Sequence, residues 1–211
     1  MAFFDEADSG RYHMTYRNPS YVQDISAYDV QMKHAFLGAA LSLLLCLSGC
    51  AGSPGPVGNI AVPQPARPVE IDRYIGRWYE MARYEAPFQK GCDGVTADYS
   101  LRDDRKIRVI NTCIKDGKTT TANGNAKIVA DSQNAKLKVS FFGPFYGDYW
   151  VLDRDENYRW AIVGEPSGRY LWMLTRQAQP NAETRAFIEA RVRELGYEWS
   201  LVRVTRHDAQ Q

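Results

Sequence analysis

The sequence has few histidines, no excess of charge of either sign and no apolar run of transmembrane length. Its 211 residues carry 26 Lys and Arg against 25 Asp and Glu, for a formal net charge of +1. No basic stripe occurs along the chain, whereas proteins that bind nucleic acid usually cluster Lys and Arg on one face. We therefore expect no nucleic-acid partner.

Histidine is scarce where catalysis or metal binding would need it. The three histidines are His13, His34 and His207, and only His207 follows the signal segment described below. One histidine near the end of a chain cannot complete a Ser-His-Asp triad, a Cys-His pair or a histidine-rich metal site. No glycine-rich phosphate loop is present. The sequence predicts no catalytic residue, no metal and no cofactor, and acidic pairs such as Asp103-Asp104 are interpreted as solvated turns.

The most apolar segment covers residues 35–47. It is too short for a membrane-spanning helix, which needs about 20 residues. Lys33 precedes it and small residues follow, so residues 32–49 are predicted to be a secretion signal. The tetrapeptide Leu-Ser-Gly-Cys that ends at Cys50 resembles a lipobox, where the signal of a lipoprotein is cut and the new N-terminal cysteine is lipidated. The alternative is an ordinary secretory signal with an incidental cysteine.

Three further segments flank or follow this signal. Residues 1–31 hold five acidic residues against two basic ones, a poor start for a secretion signal, so translation is predicted to begin at Met32. A genuine, disordered extension is the alternative. Residues 50–68 are predicted to be a lipidated anchor and a linker rich in Gly and Pro. Residues 69–211 are long enough for one domain with its own core.

Eight segments of this domain have the strand-like patterns that a half-buried sheet produces. The predicted strands cover residues 78–84, 95–101, 107–114, 119–130, 136–141, 148–152, 158–163 and 170–176. The fourth is weak because Asn123-Gly124 interrupts it, and Gly143-Pro144 and Gly147 mark a loop before the sixth. Short strands with no helix between them favour an all-β antiparallel meander. The pattern alone does not separate a closed barrel from a flat sandwich.

The periodicity changes after Pro180. Apolar residues then share one face at 3.6-residue spacing, which predicts an amphipathic helix of about 14 residues. Asn181 is its expected N-cap, and Gly196 is expected to end it. Residues 199–204 are a candidate for a short last strand.

Two motifs resemble those of the lipocalins. Gly76-Arg77-Trp78-Tyr79 resembles the opening motif of the family, and residues 170–176 resemble a later motif that ends in an arginine. Residues 135–145 are similar to the subgroup of bacterial lipoprotein lipocalins, plant lipocalins and apolipoprotein D. Residues 153–158 depart from the Thr-Asp-Tyr that the family often has there. The resemblance implies an eight-stranded antiparallel up-and-down β-barrel with one C-terminal α-helix packed outside.

The resemblance also assigns roles to the motif residues. It implies that Gly76, Trp78, Tyr79 and Arg176 are structural, and that Arg176 stacks across Trp78 at the closed end of the barrel. Such a cation–π contact contributes about 0.5–2 kcal/mol.

Two cysteines, Cys92 and Cys113, lie in the predicted domain. The hairpin turn at residues 103–104 lies about midway between them, so antiparallel pairing brings them close. An exported protein folds in an oxidising compartment. We expect a Cys92–Cys113 disulfide; the alternative is a reactive thiol, as in a lipocalin-fold isomerase.

The predicted ligand site is the interior of the barrel. If Trp78 faces inward, alternation also turns Glu80 and Tyr84 inward. A carboxylate in an apolar interior must be hydrogen-bonded or neutral, so Glu80 either bonds to barrel tyrosines or backbone or contacts a ligand head group. Phe142 and Phe145 either rim the entrance or pack on each other. The residues predicted to contact the ligand are Glu80, Tyr84, Phe88, Tyr99, Phe141, Tyr149, Trp160 and Trp172.

The resemblance implies a binding protein rather than an enzyme. It implies a lipoprotein of the bacterial outer membrane, anchored through lipidated Cys50, which binds and stores or transports a fatty acid or a lysophospholipid. Two alternatives stay open: an envelope interaction module whose barrel is filled by its own side chains, and a lipocalin-fold enzyme. The sequence indicates neither the natural lipid nor the oligomeric state.

Overall fold

The computed structural model describes residues 63–104 and 106–207. The predicted extension, the signal and the lipidation site Cys50 lie outside these residues. Within them, none of the helices has the length and the apolar character needed to cross a bilayer.

Strands dominate the described part of the chain. The two α-helices are α1 (Ile71–Tyr74) and α2 (Ala182–Glu194), and single 3-10 turns cover Pro87–Gln89 and Trp199–Leu201. The strands are β1 (Gly76–Tyr84), β2 (Asp93–Leu101), β3 (Ile107–Lys115), β4 (Lys118–Ile128), β5 (Lys136–Phe142), β6 (Phe145–Arg154), β7 (Trp160–Gly164), β8 (Leu171–Thr175) and β9 (Val202–Val204).

The strands form a closed antiparallel barrel, as the resemblance implied. Each strand from β2 to β7 pairs with the next along the chain, and β1 pairs with both β8 and β2. This double pairing of β1 closes the ring, so that β1 to β8 leave no open sheet edge. The short β9 pairs with the second half of β1 and adds a ninth strand outside the ring.

Strand β4 runs without a break through Asn123-Gly124, where the sequence predicted an interruption. Gly124 pairs with Val109 of β3, and a Cβ at this position would lie 2.8 Å from the ring of Phe141 and 2.7 Å from the carbonyl oxygen of Ser140. The glycine therefore allows β5 and its inward aromatic ring to approach β4 closely. The predicted loop before β6 is shorter than expected, because Gly143 and Pro144 alone connect β5 to β6.

Two apolar cores lie on opposite faces of the barrel wall. The inner core includes Trp78, Tyr99 and Val163. The outer core joins alternate residues such as Ile162 of β7 to Ile188 and Val192 of α2. Because both faces of β7 and β8 are covered, every residue of these two strands is buried.

Helix α2 begins and ends as the sequence predicts. The side-chain oxygen of Asn181 accepts a hydrogen bond from the backbone N–H of Thr184 at 2.9 Å. Gly196 has φ +84° just beyond the helix, a conformation that glycine adopts without a steric penalty. The helix covers 13 residues, and it packs outside the barrel.

Part of the predicted linker lies against the barrel. The backbone N–H of Ala66 donates to the carbonyl oxygen of Leu152 at 2.7 Å, and the guanidinium group of Arg154 donates to the carbonyl oxygen of Pro68 at 2.8 Å. Contacts with the barrel therefore begin before residue 69.

The predicted disulfide between Cys92 and Cys113 is confirmed, with Cα atoms 5.4 Å apart. It ties the segment that leads into β2 to the end of β3. The two cysteines pack with Val95 in a small apolar cluster of their own.

We expect the double substitution Cys92→Ala and Cys113→Ala to destabilise the domain by about 3 kcal/mol, because the bridge closes a loop of 21 residues in the unfolded chain. Urea unfolding followed by tryptophan fluorescence measures this difference. Reduction of the wild-type protein should give a loss of similar size, and unchanged stability in both experiments would contradict the prediction.

Candidate functional site

One end of the barrel opens into a cavity of about 430 Å³. The loop with the 3-10 turn Pro87–Gln89, the β5–β6 turn and the β7–β8 connection surround its mouth. Its wall is mainly aromatic, and the residues that line it are Phe88, Tyr99, Val109, Asn111, Val139, Phe141, Phe142, Phe145, Tyr146, Gly147, Asp148, Tyr149, Glu165, Tyr170 and Trp172.

The structure brings five of the eight predicted ligand residues to this cavity. They are Phe88, Tyr99, Phe141, Tyr149 and Trp172. Their contact with a ligand remains a prediction, but each stands on an inward strand position or on the entrance loop. The other three, Glu80, Tyr84 and Trp160, do not line the cavity.

Tyr84 faces the outside of the barrel, and its predicted inward orientation is wrong. The pairing of β1 with β8 shifts register between Glu80 and Ala82, which marks a β-bulge at Met81. A bulge adds one residue and reverses the alternation that follows it. The ring of Tyr84 therefore packs beside Tyr197, and its hydroxyl donates to a backbone carbonyl oxygen at 2.9 Å.

Trp160 also faces outward, against the prediction. It lies on the same face of β7 as Ile162, whereas Ala161 and Val163 face the interior. Its ring packs 5.4 Å from the ring of Phe187 of α2. Trp160 thus helps to attach the helix to the barrel.

Glu80 is fully buried, and its carboxylate is held by three side chains. It accepts hydrogen bonds from Arg83 at 2.7 Å, from Gln89 at 2.5 Å and from Thr205 at 2.5 Å. The expected partners were tyrosines or backbone, so the partners were predicted wrongly. Because the carboxylate is paired and lies away from the cavity, the geometry supports a structural role for Glu80.

This buried ion pair also fixes the loop at the mouth. The side-chain oxygen of Gln89 accepts from the indole N–H of Trp172 at 3.0 Å, while its amide nitrogen donates to Glu80. Arg83 donates to the backbone carbonyl oxygens of Gln89 and Cys92. Gln89 therefore joins the entrance loop to a tryptophan of the cavity wall, and the prediction from sequence missed it.

A chain of three tyrosine hydroxyls lies below the cavity. The hydroxyl of Tyr99 donates to that of Tyr149 at 3.0 Å, and the hydroxyls of Tyr149 and Tyr74 are 2.8 Å apart. Burial raises the pKa of Tyr99 to about 12 and raises the pKa of Tyr149 well above its ordinary value. The hydroxyls therefore stay neutral at physiological pH and make a polar but uncharged base for the cavity.

Arg176 closes the other end of the barrel, as predicted. Its guanidinium carbon lies 3.7 Å from the centre of the Trp78 ring. The same group donates to the backbone carbonyl oxygens of Arg73, Tyr74 and Ile75 at 2.9–3.1 Å. A Cβ at Gly76 would lie 3.4 Å from the guanidinium group of Arg176, and Gly76 has φ +94°, a conformation that favours glycine, so a side chain at this position would be strained beside the plug.

The mouth of the cavity exposes aromatic side chains at the β5–β6 turn. Phe145 is 77% exposed and Phe142 is 52% exposed, and the ring of Tyr146 lies under the ammonium group of Lys127 at 4.3 Å. These rings rim the entrance, which was one of the two alternatives for this loop.

No cation lines the cavity among the described residues. The two carboxylates there are already paired: Asp148 with Lys138 at 2.8 Å, and Glu165 with Ser167 and nearby backbone N–H groups. Residues 63–104 and 106–207 also contain no group of three or more side chains that suits a metal ion. The site is therefore apolar and close to neutral.

Asn111 is the lining residue that departs most from this apolar character. It stands on β3 in phase with Ile107 and Val109, both of which face the inner core. The prediction from sequence overlooked it, although the alternation of β3 identifies it as a polar residue at an inward position.

Comparison with known proteins gives a family match and several relatives. A family model for a lipocalin-like domain matches residues 69–207. Outer membrane lipoprotein Blc of Vibrio cholerae is 43% identical over 143 residues, which are 65% of this chain and 80% of that protein. Temperature-induced lipocalin-1 of Arabidopsis thaliana is 40% identical over 147 residues, which cover 65% and 78% of the two chains.

Among solved structures, insecticyanin from the tobacco hornworm Manduca sexta has the same fold. It matches with a TM-score of 0.59 at 18% identity, over 74% of this chain and 88% of that one. At this identity the likeness shows the fold alone. Together with the sequence relatives, it confirms the resemblance stated from the motifs.

We expect Trp78 and Arg176 to be coupled in a double-mutant cycle with Trp78→Leu and Arg176→Met. A cation–π contact predicts a coupling of about 0.5–2 kcal/mol in the free energy of unfolding, measured with urea. Methionine keeps most of the arginine stem, so the cycle reports mainly on the charge above the ring. Additive effects of the two substitutions would contradict the contact.

We expect Gln89→Met to destabilise the domain by about 1–3 kcal/mol, because it leaves the buried indole N–H of Trp172 and one oxygen of Glu80 without this partner. Thermal unfolding provides the measurement. Gln177→Met, at an exposed site, is the matched control and should leave the stability unchanged. Equal stabilities of the two variants would show that the entrance loop does not depend on Gln89.

Proposed function

The chain belongs to the family of lipocalin-like domains, and on this basis we propose that it binds one long-chain lipid, a fatty acid or a lysophospholipid, in the open cup of its barrel. The observation that carries the proposal is the aromatic cavity of about 430 Å³, open at one end and plugged at the other by Arg176 and Trp78. Small-molecule sites typically enclose about 300–1,000 Å³.

The electrostatics of the cup support this class of ligand and its orientation. An acyl chain gains about 25 cal/mol for each Å² of apolar surface that it buries, before the cost of ordering it. A charged head group deep in the cup would find no cation among the described lining residues. The acyl chain therefore enters first, and the head group stays at the mouth in contact with water.

We propose that the protein works at the outer membrane, anchored through Cys50. Its bacterial relatives are named outer membrane lipoproteins, and the sequence up to Cys50 has the form of a lipoprotein signal. The exposed Phe142 and Phe145 at the mouth would meet acyl chains as a lipid enters or leaves.

Binding rather than catalysis fits the chemistry of the wall. The polar groups that meet the cavity are neutral tyrosine hydroxyls, one amide and two paired carboxylates. His207 lies outside it, where its ring nitrogen is 2.9 Å from the carbonyl oxygen of Glu80. We propose no catalytic residue.

The test is a titration of the delipidated protein with hexadecanoic acid and with lysophosphatidylcholine, followed by tryptophan fluorescence. Trp172 lies in the wall, so a bound chain changes its surroundings. We expect saturation at one lipid per protein, and native mass spectrometry checks the stoichiometry.

A cavity-filling variant gives the control. Val139→Trp places an indole in the cup and should weaken binding at least about ten-fold, equivalent to 1.4 kcal/mol. Arg108→Trp places the same ring at an exposed position on the outer face of β3, outside the cavity lining, and should bind as the wild type does. Binding of neither lipid by the wild type would favour the interaction module. Equal binding by both variants would place the lipid outside the cup.

A further inference from the structure

One buried amide in the wall of the cup has no partner within the described chain. Asn111 is 1% exposed, and neither its side-chain oxygen nor its side-chain nitrogen has a hydrogen-bond partner among the described residues. It lies on the lining of the cavity. A buried polar group that stays unpaired typically costs about 1–3 kcal/mol, so native proteins seldom retain one without a reason.

The neighbouring side chains offer the amide of Asn111 no hydrogen bond. Its neighbours on the two adjacent strands are Ala97 and Ala122, whose side chains offer no hydrogen bond. The residue two positions before it on the same strand face is Val109. The tyrosine chain below is already closed on itself through Tyr149.

We propose that Asn111 is a specificity-determining residue that selects an acyl chain carrying a hydroxyl group along its length. The amide has an acceptor oxygen and a donor NH2 group. A hydroxyl group can donate a hydrogen bond to the first and accept one from the second. This inference rests on the proposed function, since it names the class of lipid that the same cup prefers.

The charge of the cup favours a hydroxyl over a carboxylate as the partner. A carboxylate at Asn111 would be buried without a cation, because no Lys, Arg or His is among the described residues that line the cavity. The free-energy cost of burying such a charge is far larger than the gain from one hydrogen bond to the amide. A hydroxyl is neutral, and its burial costs little once it is paired.

Contact requires only a local movement. Both polar atoms of Asn111 are shielded in this structure, and the side chain has two rotatable torsions, which are enough to turn the amide toward the cup. The fixed position of Asn111 on β3 also sets the depth at which it can act. Only a fatty acid whose hydroxyl lies at the matching distance from the head group should therefore bind more tightly.

The experiment compares octadecanoic acid with a series of octadecanoic acids that carry a single hydroxyl at successive positions. Affinities for the delipidated full-length exported protein are read from tryptophan fluorescence. We expect a narrow group of positions to bind about five-fold more tightly than octadecanoic acid, the gain of one net hydrogen bond. Positions nearer the head group or the methyl end should show no gain.

The variant Asn111→Leu tests whether the amide of Asn111 causes this preference, because leucine has a similar size and no polar atom. In this variant the favoured hydroxy acid should bind more weakly than octadecanoic acid, since its hydroxyl is buried without a partner. The matched control is Asn123→Leu, at an exposed position of the neighbouring β4, which should keep the wild-type preference.

The outcomes separate this inference from the function on which it rests. If the wild type binds octadecanoic acid but shows no preference for any hydroxyl position, the role of Asn111 is overturned and the lipid-binding function stands. A preference that survives in Asn111→Leu also overturns it. If the wild type binds none of the acids, the proposed function itself is overturned, and the inference that rests on it is overturned as well.

Discussion

The closed end of the barrel depends on the guanidinium group of Arg176. It stacks on Trp78 and donates to backbone carbonyls of residues 73–75 and to those of Arg77 and Tyr158. Without this group the carbonyl oxygens at the turn from α1 into β1 would lose a charged donor, and among those of the described residues 73–75 only that of Tyr74 would keep a side-chain donor, the indole N–H of Trp78. One side chain from the end of β8 thus joins three segments that are distant in sequence. This makes a cup of a barrel that would otherwise be open at both ends.

The open end depends on a different kind of interaction, a buried ion pair. Removing Glu80 and Arg83 from water has a large cost, so such a pair contributes less to stability than to the choice of one arrangement. Here it is linked through Gln89 to Trp172 and so sets the position of the entrance loop. The base of the cup is therefore held by the guanidinium group of Arg176 over the ring of Trp78, and its mouth is positioned by the carboxylate of Glu80, which does not line the cavity.

Much of the fold could be predicted from the sequence, because alternation and turn residues carry it. The paired cysteines, the Asn181 cap and the number of barrel strands all follow from local patterns. The inward faces of β1 and β7 could not be predicted. No feature of the sequence indicates the β-bulge at Met81. Strand β7 is buried on both faces, so the pattern of Trp160 to Val163 does not show which of its residues face inward.

The chain joins the barrel at the end that Arg176 seals. Ala66 and Pro68 form hydrogen bonds with the last residues of β6, at the end of the barrel opposite the mouth. Residues 66–68 therefore lie at the base of the cup. A sensor surface coupled directly at residue 63 of a chain shortened to the described residues would lie beside the base of the cup and would leave the mouth uncovered.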